Sequence, residues 1–408
     1  MKIRSLLLGS VAAAGLATTG YAADLGVVTS LDVCDELGLS GLTISSDDNC
    51  LVITGGVTYE YAIGDYATSV PVITFDRGGD DFTAKDNDGV LDDNSDIDAW
   101  LKFVATANSD FGPATATIKL ISENGDQVGA ADWTVGVDEA WVGIGDTTML
   151  MAGYKGSIFN DGDDAPLNYL GLFGSGNVDA GVYGLNGHTP NLGGDVIQVV
   201  SNLGNGISVK GGLEGLGEAT FITGVGVIEY AGDGITAHAS GAVDATGHWL
   251  VHSGFKGTWD PVTVVGAVAV GSHGWWNALG SVSATFDIFT LAVSGEATAG
   301  GEYGVGGSLS ATVTDGVTLN LGGRYFTDTT AVAATGYQVE AGVSAAATES
   351  ITLTAAIGAA DSNIAPAYVY GKAGLAWAPG GGFDLSLNGE ANTLGAYKGT
   401  FKASKSIK

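Results

Sequence analysis

Several groups of residues carry chemistry by type and spacing. Cys34 and Cys50 are the chain's two cysteines. In an exported protein two thiols meet an oxidising compartment and close a disulfide; two free thiols are the alternative. The bridge would close a short loop, worth about 3 kcal/mol through restriction of the unfolded chain. His248 and His252 have the H-x-x-x-H spacing that serves zinc on a helix. On a strand, residues four apart share a face but lie roughly 13 Å apart. These histidines therefore line a wall, and no metal or cofactor is expected. Residues 62–96 contain DRGGDDFTAKDNDGVLDDNSD, which offers the carboxylate oxygens that calcium requires. Ala84 stands where the first ligand of an ordered calcium loop belongs, so a solvated surface loop is expected. A second acidic group, Asp161, Asp163 and Asp164, lies within residues 155–193. The Gly-rich residues 211–217 lack the strand–turn–helix context of a phosphate loop. No Ser/His/Asp set is recognisable, and no enzymatic activity is expected. With 15 Lys and Arg against 45 Asp and Glu, and a net charge of −30, nucleic acid is an unsuitable partner.

The elements that must position these groups are strands. After Cys50, Leu51, Ile53, Gly55, Val57, Tyr59 and Tyr61 share one face, and Val52, Thr54, Gly56, Thr58 and Glu60 the other. Period two, one face apolar and the other mostly polar, is a half-buried strand. The pattern recurs to the end of the chain without a convincing helix. The chain is 45% hydrophobic and has 67 glycines, yet its body lacks the unbroken apolar run a spanning helix needs. Apolar residues dispersed by alternation suit an all-β transmembrane up-and-down antiparallel barrel; a soluble β-sandwich or β-solenoid is the alternative.

Residues 1–22 read as an export signal: Lys2 and Arg4, then an apolar stretch from Leu6 to Ala17, then Gly20 and Ala22. Cleavage between Ala22 and Ala23 is expected. Residues 23–50 would form a disulfide-closed N-terminal loop and residues 51–408 the barrel. Short turns are expected at 109–113, 145–146, 203–206, 233–234, 260–261, 287–288, 315–316, 349–350 and 379–382. Nine short turns, with a strand before the first and after the last, make 20 strands. Aromatics such as Tyr59, Phe103, Trp249, Trp259, Phe286, Tyr337, Trp377 and Phe401 fall on the apolar parity near strand ends, as interfacial girdles require. The polar parity carries Lys102, Lys119, Lys210, His238, His248, His252, Lys256, Arg324, Glu340, Lys372, Asp384 and Glu390, which would line a lumen. No aromatic ladder is evident on that parity.

The start MKIRSLLLGS, the AADL that follows it, and VCDELGLSGLTISSDDNCLVITGGVTYE resemble the rhizobial-type general porins of alphaproteobacteria. So do ANSDFGPATATIKL, DEAWVGIGDTTMLMAGYKGSIFN and QVVSNLGNGISVKGGLE, over about residues 1–215. Beyond that the resemblance rests on the hairpin pattern and the final GTFKASKSI. It implies an outer-membrane barrel of 16 strands rather than 20, usually a homotrimer in lipid and lipopolysaccharide, passing small hydrophilic solutes. It also implies a long third loop folded into the lumen as a constriction. Residues 155–193 lie at that position, so Asp161, Asp163 and Asp164 become its acidic side and Lys102, Lys119, Lys210 and Arg324 the basic wall. Lys102 falls where the family carries an arginine. Thr58 replaces a basic residue of the first strand, and Ile407 with Lys408 replaces a terminal phenylalanine. The expected activity is passive diffusion with a modest preference for cations. A substrate-specific channel and a non-conducting structural or adhesive barrel are the alternatives.

Overall fold

The computed structural model describes residues 32–46, 48–66, 90–125, 134–163, 165–172, 190–217, 222–328, 334–363 and 366–407. The expected export signal, most of the acidic connection and Asp164 lie outside them.

Strands account for nearly all of this. A one-turn helix, α1 (Asp32–Glu36), and a short strand, β1 (Leu42–Ser45), precede the barrel. The first half of the barrel is β2 (Cys50–Asp65), β3 (Asp92–Ala107), β4 (Ala114–Gly125), β5 (Val135–Gly145), β6 (Thr148–Lys155), β7 (Gly194–Gly204), β8 (Ile207–Glu214), β9 (Thr223–Gly232), β10 (Ile235–Asp244) and β11 (Trp249–Trp259). The second half is β12 (Val262–Gly271), β13 (Trp276–Phe286), β14 (Phe289–Thr298), β15 (Tyr303–Thr314), β16 (Val317–Asp328), β17 (Ala334–Ala346), β18 (Ile351–Ser362), β19 (Tyr368–Gly380), β20 (Phe383–Asn392) and β21 (Tyr397–Ile407). Each pairs antiparallel with its neighbours in sequence, and β21 closes on β2 from Gly55↔Ile407 to Asp65↔Tyr397. The barrel has 20 strands. The short-turn count therefore holds, and the 16 strands implied by the family resemblance do not. The reason is local: each of the nine turns sits between two strands where turn chemistry put it. At Asn205-Gly206 and Asp233-Gly234 both residues have positive φ, as the tight hairpin turn demands.

Two boundaries differ from expectation. The acidic connection is shorter than residues 62–96, because β2 runs on to Asp65 and β3 begins at Asp92. Strand pairing tolerates these acids because Asp92 and Asp93 sit at the rim. The N-terminal loop also holds more structure than expected. Helix α1 carries Cys34, which is bonded to Cys50 at the start of β2. Strand β1 pairs with β2 from Leu42↔Ile53 to Ser45↔Cys50. It thereby takes the edge that β21 leaves bare, since β21 stops opposite Gly55. An uncovered edge would present unpaired backbone groups.

Alternation sorts the two faces. Val251, Val293, Val305, Leu321, Val339 and Ile357 point outward and are exposed, as are Trp249, Trp259, Phe286, Tyr337 and Trp377. This is the apolar exterior and aromatic girdle of a transmembrane barrel. The inward parity holds the polar set, with one stretch of exceptions described next.

Candidate functional site

The long segment after β6 is the third long connection of the barrel, and its described residues turn into the lumen. Its root is held by one carboxylate. Glu214, on β8 and fully buried, accepts the backbone N–H of Ile158 at 3.0 Å and of Gly193 at 2.7 Å. The Gln198 amide on β7 donates to the same carboxylate and to the Gly156 carbonyl. Ile158 and Phe159 then pack on Val225, Val227, Ala242, Leu250 and Ala269. These wall residues break the polar rule of the inward parity because their neighbour is protein, not water. Asn160 exchanges backbone hydrogen bonds with the Ser240 hydroxyl, and its side chain donates to Glu229. Gly254 on β11 is a close-approach glycine. A Cβ there would lie 2.5 Å from the Gly162 carbonyl oxygen and 2.9 Å from Asp163 Cβ.

Farther along, the Leu167 N–H donates to Ser281 on β13 and the Tyr169 N–H to Ser308 on β15. Leu172 packs against Val265 and Leu279. Arg324 on β16 clasps the far end: Nη1 donates to the carbonyls of Leu170 at 2.7 Å and Leu172 at 2.9 Å, while Nε donates to Gln338. The Tyr169 hydroxyl donates to Glu340, which also accepts from Tyr370. Burial and the adjacent Glu340 carboxylate push the Tyr169 hydroxyl well above the usual phenol range. The segment thus crosses the inner wall from β7 to β17.

The residues singled out by sequence take different places. Asp161 is exposed on the insert. Asp163, in a left-handed backbone conformation, accepts from Thr236 and faces His238. Lys102, Lys119 and Lys210 line the wall, but each has a carboxylate partner: Glu139 at 3.1 Å, Asp138 at 2.6 Å and Glu229 at 2.7 Å. Lys102 and Lys119 are directly opposite across strands, a repulsive pairing. A register shift between Lys119 and Leu120 in the β4–β5 pairing relieves it by presenting Asp138 and Glu139 side by side. Arg324 differs from the three lysines. It is 4% exposed and serves as a clasp for the insert rather than a charge open to the lumen.

Some inward residues were not anticipated. Trp100 and Trp141 share the faces of Lys102 and Glu139, with Lys119 Nζ 5.7 Å above the first ring and Lys155 Nζ 5.4 Å above the second. Tyr370 also faces inward, so the polar parity does contain aromatics. Their parity was legible; their contact with lysines needed the cross-strand register. His248 bonds to Asp244 and Thr246 near a strand end, whereas His252 pairs with His238. The H-x-x-x-H pair is not a unit, as expected from strand spacing. Among the described residues no group of three or more His, Cys, Asp or Glu is arranged to hold a metal.

Comparisons with protein-family models and with curated proteins give no match. Among solved structures, a loop-deletion mutant of OmpT, an outer membrane protein of Vibrio cholerae, is 11% identical; the alignment covers 88% of this chain and 100% of that one, with a TM-score of 0.40. A mutant of Rh. blastica porin is 13% identical, covering 87% of this chain and 99% of that one, again with a TM-score of 0.40. At such values the function has to be read from this chain's own geometry.

Proposed function

We propose that the chain is an outer-membrane porin, a passive diffusion channel for small hydrophilic solutes and ions with a modest preference for cations. One observation carries this reading. The described residues of a single insert are bonded along the inner wall from β7 to β17, which narrows a closed barrel from that side. A loop laid along one wall makes a constriction; selectivity follows from the charges where the lumen is narrow. Asp161 and Asp163 contribute negative charge on the insert, and Asp164 belongs to the same proposed acidic side. Lys102 and Lys119 on the opposite wall and Lys210 on the covered one are largely neutralised by their carboxylate partners, so acid outweighs base only mildly. Export through residues 1–22, residence in outer-membrane lipid and lipopolysaccharide, and assembly as a homotrimer belong to this proposal through the N-terminal resemblance. No catalytic role is part of it.

Planar-bilayer recording under a salt gradient tests it. Stepwise conductance with a cation-preferring reversal potential at low salt, blunted at high salt, is expected because screening shortens the reach of fixed charges. Anion preference at low salt rejects the charge assignment, and absence of conductance rejects the channel. A substrate-specific channel is favoured by a different observation, the Lys119–Trp100 and Lys155–Trp141 contacts, which place cations and ring faces together on one wall. Saturable block of the ion current by an anionic or aromatic solute would select that reading.

A further inference from the structure

Two imidazoles meet where the insert crosses β10 and β11. His238 and His252 are diagonal neighbours on adjacent strands, with ring centroids 4.9 Å apart and planes 17° apart. His238 Nε2 and His252 Nδ1 are 2.7 Å apart. The residues are 4% and 0% exposed. The other nitrogen of His238 lies 3.4 Å from Asp163 Oδ2, and Thr236 donates to Asp163 Oδ1. His252 Nε2 is buried without a hydrogen-bond partner. Donor counting orients the chain. A short N···N contact needs one N–H and one lone pair. With His238 Nδ1–H donating to Asp163, His238 Nε2 accepts from His252 Nδ1–H. His252 Nε2 is then a buried lone pair.

We infer that Asp163, His238 and His252 form a proton-operated latch: loading both imidazoles detaches this part of the insert from the wall, so the constriction responds to pH. The inference rests on the insert being the constriction of the proposed channel. One added proton is tolerated: taken up at the His252 Nε2 lone pair, it leaves His252 Nδ1–H donating to His238 Nε2 and His238 Nδ1–H donating to Asp163. A second is not. Both facing nitrogens would then carry hydrogens, and two cations would stack in a site closed to water. The two rings share a single N–H···N bond, so it is the second proton that breaks the contact.

The surroundings leave the dyad in control. On β10, Thr236 and Ser240 are hydroxyls already bonded to the insert. On β9, Glu229 is occupied by Lys210, Ser208 and Asn160. On β11, Lys256 lies two residues beyond Gly254; on β12, the inward residues Ala267 and Ala269 are uncharged. On the insert, Asp161 is the other described carboxylate.

Hydrogen exchange of the folded protein in micelles at pH 7.5 and 4.0 tests the latch directly, with the variant below controlling for every other group that loads in that range. Corrected for the intrinsic pH dependence of exchange, residues 158–163 of the wild type should exchange about tenfold faster at the lower pH. In His252→Gln, whose amide donates to His238 but takes no proton, the change should be under about twofold, with β8 the unchanged reference in both. Should that variant not fold, His238→Gln serves, since its carbonyl accepts from His252. In bilayers the open-state dwell time should shorten about fivefold at pH 4.0 in the wild type only. Equal exchange in wild type and variant overturns the latch, even if current varies with pH. Absence of conductance at both pH values removes the channel reading, while exchange still decides the latch.

Discussion

The inner wall has two regions with opposite chemistry. From β7 to β17 it is covered, and much of it is apolar: Leu250 is 2% exposed and Leu279 4%, both pointing inward. From β19 through β21 and on to β5 it is lined by charges, beginning with Lys372. The side chains of Lys402 and Glu60 are 52% and 40% exposed and 3.1 Å apart. Both regions obey the same period of two. The difference teaches that alternation divides inside from outside, not polar from apolar. Inward residues match whatever faces them, water on one side and the insert on the other.

The sharpest break of this contrast is a carboxylate placed on the covered wall. Leu250→Asp should lower stability by about 3 kcal/mol or more, because a charge is buried beneath Ile158 and Phe159 without a partner. Asn388→Asp on the open wall, whose cross-strand partners Gly374 and Thr400 are uncharged, should change it by less than about 0.5 kcal/mol. Denaturant titration in micelles compares them; equal losses would mean that the insert does not seat on β11.

A smaller effect comes from one methyl group. Gly254→Ala brings a Cβ against Gly162 and Asp163 and should cost about 1–3 kcal/mol. Gly241→Ala, where nothing lies within 4 Å, should be neutral or slightly stabilising. The same titration checks both.

Charge deletions sharpen the contrast at the level of selectivity. Lys102→Met with Lys119→Met uncovers Glu139 and Asp138 and should raise the cation preference about twofold at low salt. Arg324→Met should change it much less, since that guanidinium is buried against carbonyls; its signature is current noise from a loosened insert. Reversal potentials would refute this if Arg324 mattered as much as the lysines. The smallest expected shift is for Asp161→Asn, a drop in cation preference of under about 1.5-fold that vanishes in high salt.

Much of the fold was legible. Cys50 to Tyr61 shows its two faces without help, nine turns declare themselves through residues such as Asn205-Gly206, and the pairing of Cys34 with Cys50 follows from there being two cysteines. The candidate site was legible in part. The insert's position came through the family resemblance, while Arg324 looked equivalent to Lys102, and His252 looked closer to His248 than to His238.

The sequence by itself determined the alternation, the turns and hence the strand number, because each depends on contacts within a few residues. Only the tertiary structure decided which inward residues meet water and which meet the insert. It also decided which charges pair. Partners such as His238 and His252, or Lys119 and Asp138, lie on neighbouring strands whose relative register is set by barrel closure and by the shift at Leu120. A one-residue slip would have sent each partner to the opposite face.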